Sequence, residues 1–197
     1  MTINLNNYII KRKSKLDINS IGGKKFLKNI VLIGMAGCGK STVGVLLAKI
    51  LGMPFIDTDL LIQEKEGRLL QDIIDSEGLQ KFMDIEEDAI LSLNIEGYVI
   101  ATGGSAVYGP LAMKHMIEKG IIIYLNLSFE NIEKRINNIT TRGIVIGKGQ
   151  TLRDIYNERI ELYSKYSTLK IDCDGKDIET ILEEIVIEID RNKFNKR

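Results

Sequence analysis

The sequence has few of the residues that build linkers, disulfide frameworks or transmembrane segments. Its 197 residues include two prolines, no tryptophan and two cysteines, Cys38 and Cys173. Two prolines exclude a proline-rich linker, and two cysteines cannot form a disulfide framework, so we expect the cytoplasm as the compartment. No apolar run approaches the roughly 20 residues that a membrane helix requires, and the N-terminus lacks the apolar core of a secretory signal. We therefore expect a cytoplasmic protein with no membrane partner.

Charge is balanced over the whole chain but not along it. The 27 basic and 27 acidic residues cancel, yet residues 1–28 contain seven basic residues and one acidic residue. The rest of the chain is therefore acidic, which argues against nucleic acid as a partner, because binding to phosphates requires positive charge. The length fits one domain with a buried core. We predict a basic N-terminal extension over residues 1–28 and one domain over residues 29–197.

From residue 29 onward, short apolar runs alternate with helical patterns. The apolar runs predict buried strands at residues 29–33, 55–56, 98–102, 121–125 and 169–173. Helical patterns occupy residues 41–51, 82–93, 128–137, 151–166 and 177–190. This alternation predicts an α/β fold, a three-layer sandwich of about five parallel strands with helices on both faces. Such sheets bind ligands at the carboxyl ends of their strands.

A phosphate-binding motif follows the first predicted strand. Residues 34–41 read GMAGCGKS and fit G-x-x-x-x-G-K-[ST] without a mismatch. Its glycines let backbone N–H groups curl around phosphate oxygens, Lys40 reaches the β- and γ-phosphates, and the Ser41 hydroxyl ligates magnesium. A dinucleotide-binding motif is excluded because it would need glycine at Thr42. The nucleotide-binding residues that we predict here are Gly34, Gly37, Cys38, Gly39, Lys40, Ser41 and Thr42.

Two carboxylates end the second predicted strand, at Asp57 and Asp59. One can hold magnesium through water, and the other can face the hydroxyl of an acceptor and take its proton. The alternative is an acidic helix N-terminus, where the helix dipole favours aspartate in any case. Their position after a phosphate loop and a short helix favours the functional interpretation.

In this order, the motifs resemble those of the shikimate kinase family, from about residue 29 to residue 163. The resemblance includes the Gly-Met start of the phosphate loop and the strand that ends at Asp59. It continues through four further groups of residues: Gly67-Arg68, Phe82 with Glu86-Glu87, Thr102-Gly103-Gly104, and Glu158-Arg159 with Tyr163. The resemblance implies a nucleoside-monophosphate-kinase-like fold, ATP as co-substrate, Mg²⁺, and a role in the biosynthesis of aromatic amino acids.

The resemblance also implies a role for individual residues. Asp57 would hold magnesium through water, and Asp59 would bind the reacting hydroxyl and act as base. Arg142 would close over the transferring phosphoryl group from a lid at about residues 138–149, and Arg135 would lie along the adenine. Arg159 would bind the acceptor carboxylate. The catalytic residues would be Asp59, Lys40 and Arg142, and the acceptor site would also include Gly103, Gly104, Ser105 and Met83.

Four positions depart from the family pattern. Met83 stands where the family has an arginine that grips the acceptor carboxylate, and Ser105 replaces the third glycine of a loop. Gly143 replaces the proline after the lid arginine, and Leu79 replaces a glutamate. Since Met83 and Ser105 both lie on the acceptor side, the acceptor is either shikimate or another small polyol, sugar acid or cyclitol.

Two further hypotheses remain open at this point. A nucleotide kinase would need several arginines around a second phosphate, and the acceptor region offers few. A nucleotide-binding regulator without catalysis would not need Lys40, Ser41, Asp59 and Arg142 together. We expect an ATP-dependent kinase of a small hydroxylated compound that acts as a monomer.

Overall fold

A computed structural model describes residues 28–137 and 149–194. Its sheet has five strands, which are β1 (Asn29–Ile33), β2 (Phe55–Asp57), β3 (Val99–Ala101), β4 (Gly120–Asn126) and β5 (Leu169–Asp172). They lie in the order β2-β3-β1-β4-β5, and every neighbouring pair is parallel. The predicted five-stranded parallel sheet is therefore confirmed, with strand ends that differ from the prediction by at most one residue.

Helices connect these strands. Within the described residues they are α1 (Lys40–Leu51), α2 (Thr58–Glu66), α3 (Leu70–Leu91), α4 (Pro110–Lys119), α5 (Phe129–Asn137), α6 (Leu152–Tyr166) and α7 (Ile178–Phe194). Helix α1 packs against α7, and α4 packs against β1 and β4. The predicted α/β class is confirmed by this arrangement. No helix in the described ranges is long and apolar enough to cross a membrane.

Strand β1 is the centre of the core because it pairs with β3 on one side and with β4 on the other. Each of its five residues is buried, so both faces of the sheet are covered here. For that reason, apolar and polar residues do not alternate along its apolar run. Strand β1 leads directly into the phosphate-binding motif, which therefore starts from a strand that is buried on both faces.

Helix α3 differs from the predicted helix at residues 82–93. It begins earlier, at Leu70, and contains Gly78 with a non-helical φ of 85° and ψ of 168°. This backbone conformation suits glycine, because a Cβ atom disfavours positive φ. The prediction covered only the part after this kink. The predicted extension at residues 1–28 lies outside the described residues except for Lys28, and the predicted lid at about residues 138–149 lies outside them except for Gly149.

Candidate functional site

The loop between β1 and α1 has the shape that phosphate binding requires. A Cβ atom on Gly34 would lie 2.7 Å from the carbonyl oxygen of Leu125 and 3.0 Å from Cys38 Sγ. Gly34 also has a φ of 145°, so any other residue would be strained and would collide with β4. Glycine is therefore needed for the loop to turn directly out of β1.

Lys40 is the first residue of α1, and its side chain turns back over the loop. Its Nζ donates hydrogen bonds to the carbonyl oxygens of Gly34, at 2.8 Å, and Met35, at 2.9 Å. The residue is only 8% exposed. The ammonium group is thus held at the mouth of the loop, at the N-terminus of a helix where anions bind.

A cavity of about 410 Å³ opens beside this loop at the carboxyl ends of the strands. It is lined by nine of the predicted residues: Gly37, Gly39, Lys40, Ser41, Asp57, Asp59, Gly103, Gly104 and Ser105. Gly34, Cys38 and Thr42 belong to the same loop or helix but do not line the cavity. Residues of the phosphate loop, the two aspartates and the segment at residues 103–105 thus meet in one space, at the carboxyl ends of the strands.

Asp57 caps the start of helix α2. Its Oδ1 accepts a hydrogen bond of 3.0 Å from the backbone N–H of Asp59. The acidic helix N-terminus that the sequence offered as an alternative is therefore present. Both carboxylates also line the cavity, so capping does not exclude a role in binding.

The residues present fit a magnesium ion. Ser41 supplies a hydroxyl oxygen and Asp57 a carboxylate oxygen, and both line the cavity at the phosphate loop. Magnesium in phosphoryl-transfer sites is bound through one or two carboxylates, substrate phosphates and water, so these hard oxygen donors match it. Ser41 and Asp57 would hold the ion there.

The loop after β3 is fixed by hydrogen bonds from three directions. The hydroxyl of Thr102 donates to the carbonyl oxygen of Leu32 in β1, at 3.1 Å. Gly103 N–H donates to Thr58 Oγ1 at 3.1 Å. The Tyr163 hydroxyl donates to the carbonyl oxygen of Gly104 at 2.6 Å. The acceptor loop, which we define as Thr102–Ser105, is therefore held by β1, α2 and α6.

Gly103 has no room for a side chain. A Cβ atom there would overlap Oε1 of Glu86 and would lie 2.8 Å from Oδ1 of Asp59. Two carboxyl groups thus approach the same side of Gly103. This crowding explains why the loop needs glycine at this position, independently of its backbone angles.

Glu86 is the functional candidate to which the sequence assigned no role. It is 1% exposed, and Ser105 Oγ donates a 2.6 Å hydrogen bond to its Oε2. Among the described residues, its Oε1 has no hydrogen-bond partner. The pKa of Glu86 is raised from 4.5 to about 7, mainly by burial and also by the nearby Asp59 carboxylate, while the hydrogen bond from Ser105 opposes the rise.

A signal in the sequence could have drawn attention to Glu86. It lies four residues after Phe82 and three before Ala89, so it falls on the apolar face of α3. A carboxylate on a buried helix face is rare unless it is paired or functional.

Arg159 and Met83 line a second cavity, of about 430 Å³, instead of the first. Arg159 is 2% exposed, and its Nε donates to the hydroxyl of Tyr108 at 3.3 Å. Its Nη1 lies 3.2 Å from the position that a Cβ atom on Gly104 would occupy. The guanidinium group therefore reaches the wall between the two cavities, next to the acceptor loop.

Arg135 and Arg142 are the other two predicted arginines. Arg135 lies on α5 and is exposed, and its Nη1 donates a 3.2 Å hydrogen bond to the carbonyl oxygen of Gly37. It thus lies beside the phosphate loop. Arg142 falls in the predicted lid, outside the described residues, so its role stays a prediction.

Comparisons with known proteins agree with this geometry. The family model described as shikimate kinase matches residues 36–190. A shikimate kinase from Sulfurihydrogenibium sp. (strain YO3AOP1) is 35% identical over 166 residues, which cover 84% of this chain and 99% of the relative. A shikimate kinase from Paracidovorax citrulli (strain AAC00-1) is 37% identical over 168 residues, covering 82% of this chain and 92% of the relative.

Solved structures show the same similarity. The shikimate kinase from Acinetobacter baumannii in complex with shikimate has a TM-score of 0.80 and 30% identity, covering 86% of this chain and 96% of that chain. A thymidylate kinase from Candida albicans has a TM-score of 0.55 at 15% identity, covering 84% of this chain and 92% of that chain. This second likeness concerns the fold alone, and it confirms the predicted resemblance to nucleoside-monophosphate kinases.

Proposed function

Because this chain belongs to the shikimate kinase family and is an ATP-dependent kinase, we propose that it phosphorylates shikimate with Mg-ATP to give shikimate 3-phosphate. The single observation that carries this proposal is the 410 Å³ cavity, which brings the phosphate loop, two aspartates and the acceptor loop together. Phosphoryl transfer depends mainly on positioning and charge stabilisation, so such convergence is what the reaction requires.

In the proposed reaction, a hydroxyl oxygen of the acceptor attacks the γ-phosphorus of ATP. A bond forms between these two atoms as the bond from the γ-phosphorus to the bridging oxygen of ADP breaks. Asp59 binds the hydroxyl and accepts its proton. Lys40 stabilises the negative charge on the phosphate oxygens, and Arg142 adds a second positive charge from the lid.

Ser41 and Asp57 would hold magnesium beside the phosphate loop. The bound ion would neutralise charge on the β- and γ-phosphates. Arg135, which already contacts the loop at Gly37, would lie along the adenine. These contacts would fix the nucleotide while leaving the γ-phosphate facing Asp59.

The acceptor carboxylate would be bound by Arg159. Its guanidinium lies against the acceptor loop at Gly104, and Gly103 and Gly104 would bring their backbone close to the acceptor. Since Met83 supplies no second positive charge, Arg159 is the arginine that we propose for the carboxylate interaction. A hydrogen bond to a charged group contributes roughly 1.5–3 kcal/mol, so its loss lowers affinity by about tenfold or more.

The test is ADP release by the purified full chain with Mg-ATP, with and without millimolar shikimate. We expect stimulation that saturates with shikimate, and Asp59→Asn should abolish most of it without preventing ATP binding. Asp72→Asn, an exposed carboxylate on α3, is the matched control and should behave as the wild type. Intact ATP binding with no stimulation by shikimate would contradict the proposed acceptor.

A second candidate acceptor is a small polyol, sugar acid or cyclitol. Met83 and Ser105 favour it, because one removes a cation and the other adds a hydroxyl at the acceptor side. A panel of such compounds, assayed for ADP release beside shikimate, separates the two candidates. Higher kcat/KM for one of these compounds than for shikimate would favour this second candidate.

A further inference from the structure

The buried carboxyl group of Glu86 packs against the acceptor loop at Gly103, on the same side of that glycine as Asp59. Its Oε1 lies against Gly103, where a Cβ atom would overlap it, and its Oε2 accepts the 2.6 Å hydrogen bond from Ser105 Oγ. Glu86 is 1% exposed and does not line the 410 Å³ cavity. It therefore acts on the acceptor only through the loop.

We propose that Ser105 positions the Glu86 carboxyl against the acceptor loop, and that the protein binds its acceptor more tightly while Glu86 is protonated. This inference rests on the proposed phosphorylation of shikimate. Glu86 is a positioning residue in this account, since it touches neither the nucleotide nor the reacting atoms.

The two carboxyl oxygens of Glu86 differ in their hydrogen bonding. Within the described part of the chain, Oε1 has no hydrogen-bond partner, while Oε2 has one. A neutral carboxyl group needs less solvation than a carboxylate, so one hydrogen bond from a serine suffices for it. A carboxylate would have to attract water or a further donor, and either would push against Gly103.

Charged groups on three helices influence the ionisation of Glu86. Asp59 on α2 disfavours its ionised form, whereas Arg159 on α6, Lys40 on α1 and the Ser105 hydroxyl favour it, and burial outweighs all of them. The balance places the titration of Glu86 near neutral pH. An ionised Glu86 would add negative charge beside Gly103, close to Asp59 and to an anionic acceptor.

Ser105 stands where the family pattern has a glycine. A glycine at position 105 would leave Oε2 without the hydroxyl that now holds it. Met83 lies one helical turn before Glu86 on α3 and supplies no charge to it. The serine hydroxyl is therefore the donor that fixes this carboxyl group, and it can hold Glu86 in either protonation state.

The test is the pH dependence of the KM for shikimate, measured with Mg-ATP and the full chain between pH 6 and pH 8.5. We expect KM to rise by about tenfold through neutral pH, with little change in the KM for ATP. Glu86→Gln should make the KM for shikimate independent of pH. Ser105→Ala should move the rise to higher pH, because it removes a hydrogen bond that favours the ionised form.

Glu87→Gln is the matched control. Glu87 neighbours Glu86, but its Oε1 accepts hydrogen bonds from the backbone of Leu111 and Ala112 at the start of α4. The rise in the KM for shikimate through neutral pH should persist in this variant. A wild-type KM that does not change with pH would overturn the proposal, and so would a rise that persists in Glu86→Gln.

A second measurement does not depend on turnover. In protein labelled with ¹³C at the glutamate carboxyl carbons, one resonance should titrate near neutral pH, disappear in Glu86→Gln and shift its midpoint upward in Ser105→Ala. The absence of such a resonance overturns the proposal even if shikimate is phosphorylated. Its presence supports the Ser105–Glu86 pair even if the acceptor proves to be another compound.

Discussion

The hydroxyl of Tyr163 donates a 2.6 Å hydrogen bond to the carbonyl oxygen of Gly104, which joins helix α6 to the acceptor loop. Tyr163 is fully buried, and burial raises the pKa of its phenol well above the usual value, so the group remains a donor. Arg159 lies one turn earlier on the same helix. Helix α6 therefore fixes the acceptor loop and carries the arginine proposed to bind the acceptor.

Tyr163→Phe should destabilise the fold and weaken acceptor binding. Removing one partner of a buried hydrogen bond costs about 1–3 kcal/mol, and here it leaves the Gly104 carbonyl without this donor. Urea unfolding measures the loss, and the KM for shikimate should rise in parallel. Tyr166→Phe, at a half-buried tyrosine on the same helix, is the control. Equal losses of stability in Tyr163→Phe and Tyr166→Phe would contradict the role given to the hydrogen bond between Tyr163 and Gly104.

Arg159→Lys should raise the KM for shikimate by roughly ten- to a hundredfold while leaving the KM for ATP nearly unchanged. Lysine keeps the charge but cannot reproduce the planar fork of the guanidinium or its contact with Tyr108. Steady-state kinetics with each substrate varied in turn provide the measurement. Arg153→Lys, an exposed arginine on α6, is the control. A large rise in the KM for ATP would instead indicate a general effect on the fold.

Gly44→Ala should lower the thermal midpoint although alanine favours helix by about 1 kcal/mol. A Cβ atom on Gly44 would lie 2.5 Å from Cε2 of Phe55, and overpacking of this kind costs about 1–3 kcal/mol. Gly44→Ala should lower the thermal midpoint less in the Phe55→Leu background than in the wild type, because the smaller leucine leaves room for the added Cβ atom. Additive effects in this double-mutant cycle would show that the two residues do not collide.

The Glu86 carboxyl should make the fold less stable as the pH rises. Its pKa is raised from 4.5 to about 7 on folding, so the native state binds this proton more tightly than the unfolded state. Its contribution to stability is complete below pH 4.5 and is lost as the pH rises through 7. The loss amounts to roughly 3 kcal/mol.

Urea unfolding at pH 5 and pH 8 measures that loss as the difference between wild type and Glu86→Gln. Because glutamine does not titrate, the wild type should lose more stability than the variant between the two pH values. Parallel losses in both proteins would show that Glu86 titrates at the same pH in the folded and unfolded chains.

The sequence was most informative where local chemistry decides the structure. The phosphate loop could be predicted residue by residue because its glycines and Lys40 act within one short segment. Strands β1 and β4 could be predicted because they are buried on both faces and appear as continuous apolar runs. The placement of Asp57 and Asp59 at the cavity followed from the parallel sheet.

What could not be predicted depends on contacts between distant segments. The bond between Ser105 and Glu86 joins residues 19 positions apart, on the acceptor loop and on α3. Met83 on α3 and Arg159 on α6 line a separate cavity, and how two distant helices approach each other is not encoded in a local sequence pattern. The roles of the basic extension and of Arg142 in the lid stay predictions, as does the monomeric state.

The position of β1 in the middle of the sheet has a consequence for how the chain folds. Asn29 at the start of β1 is hydrogen-bonded to Tyr98, 69 positions along the chain, and β4 on its other side comes still later. Closing such long loops is slow, since their entropy is lost before the pairing compensates for it. We therefore expect β1 to be synthesised early but to complete its pairing late, after β3 and β4 have left the ribosome.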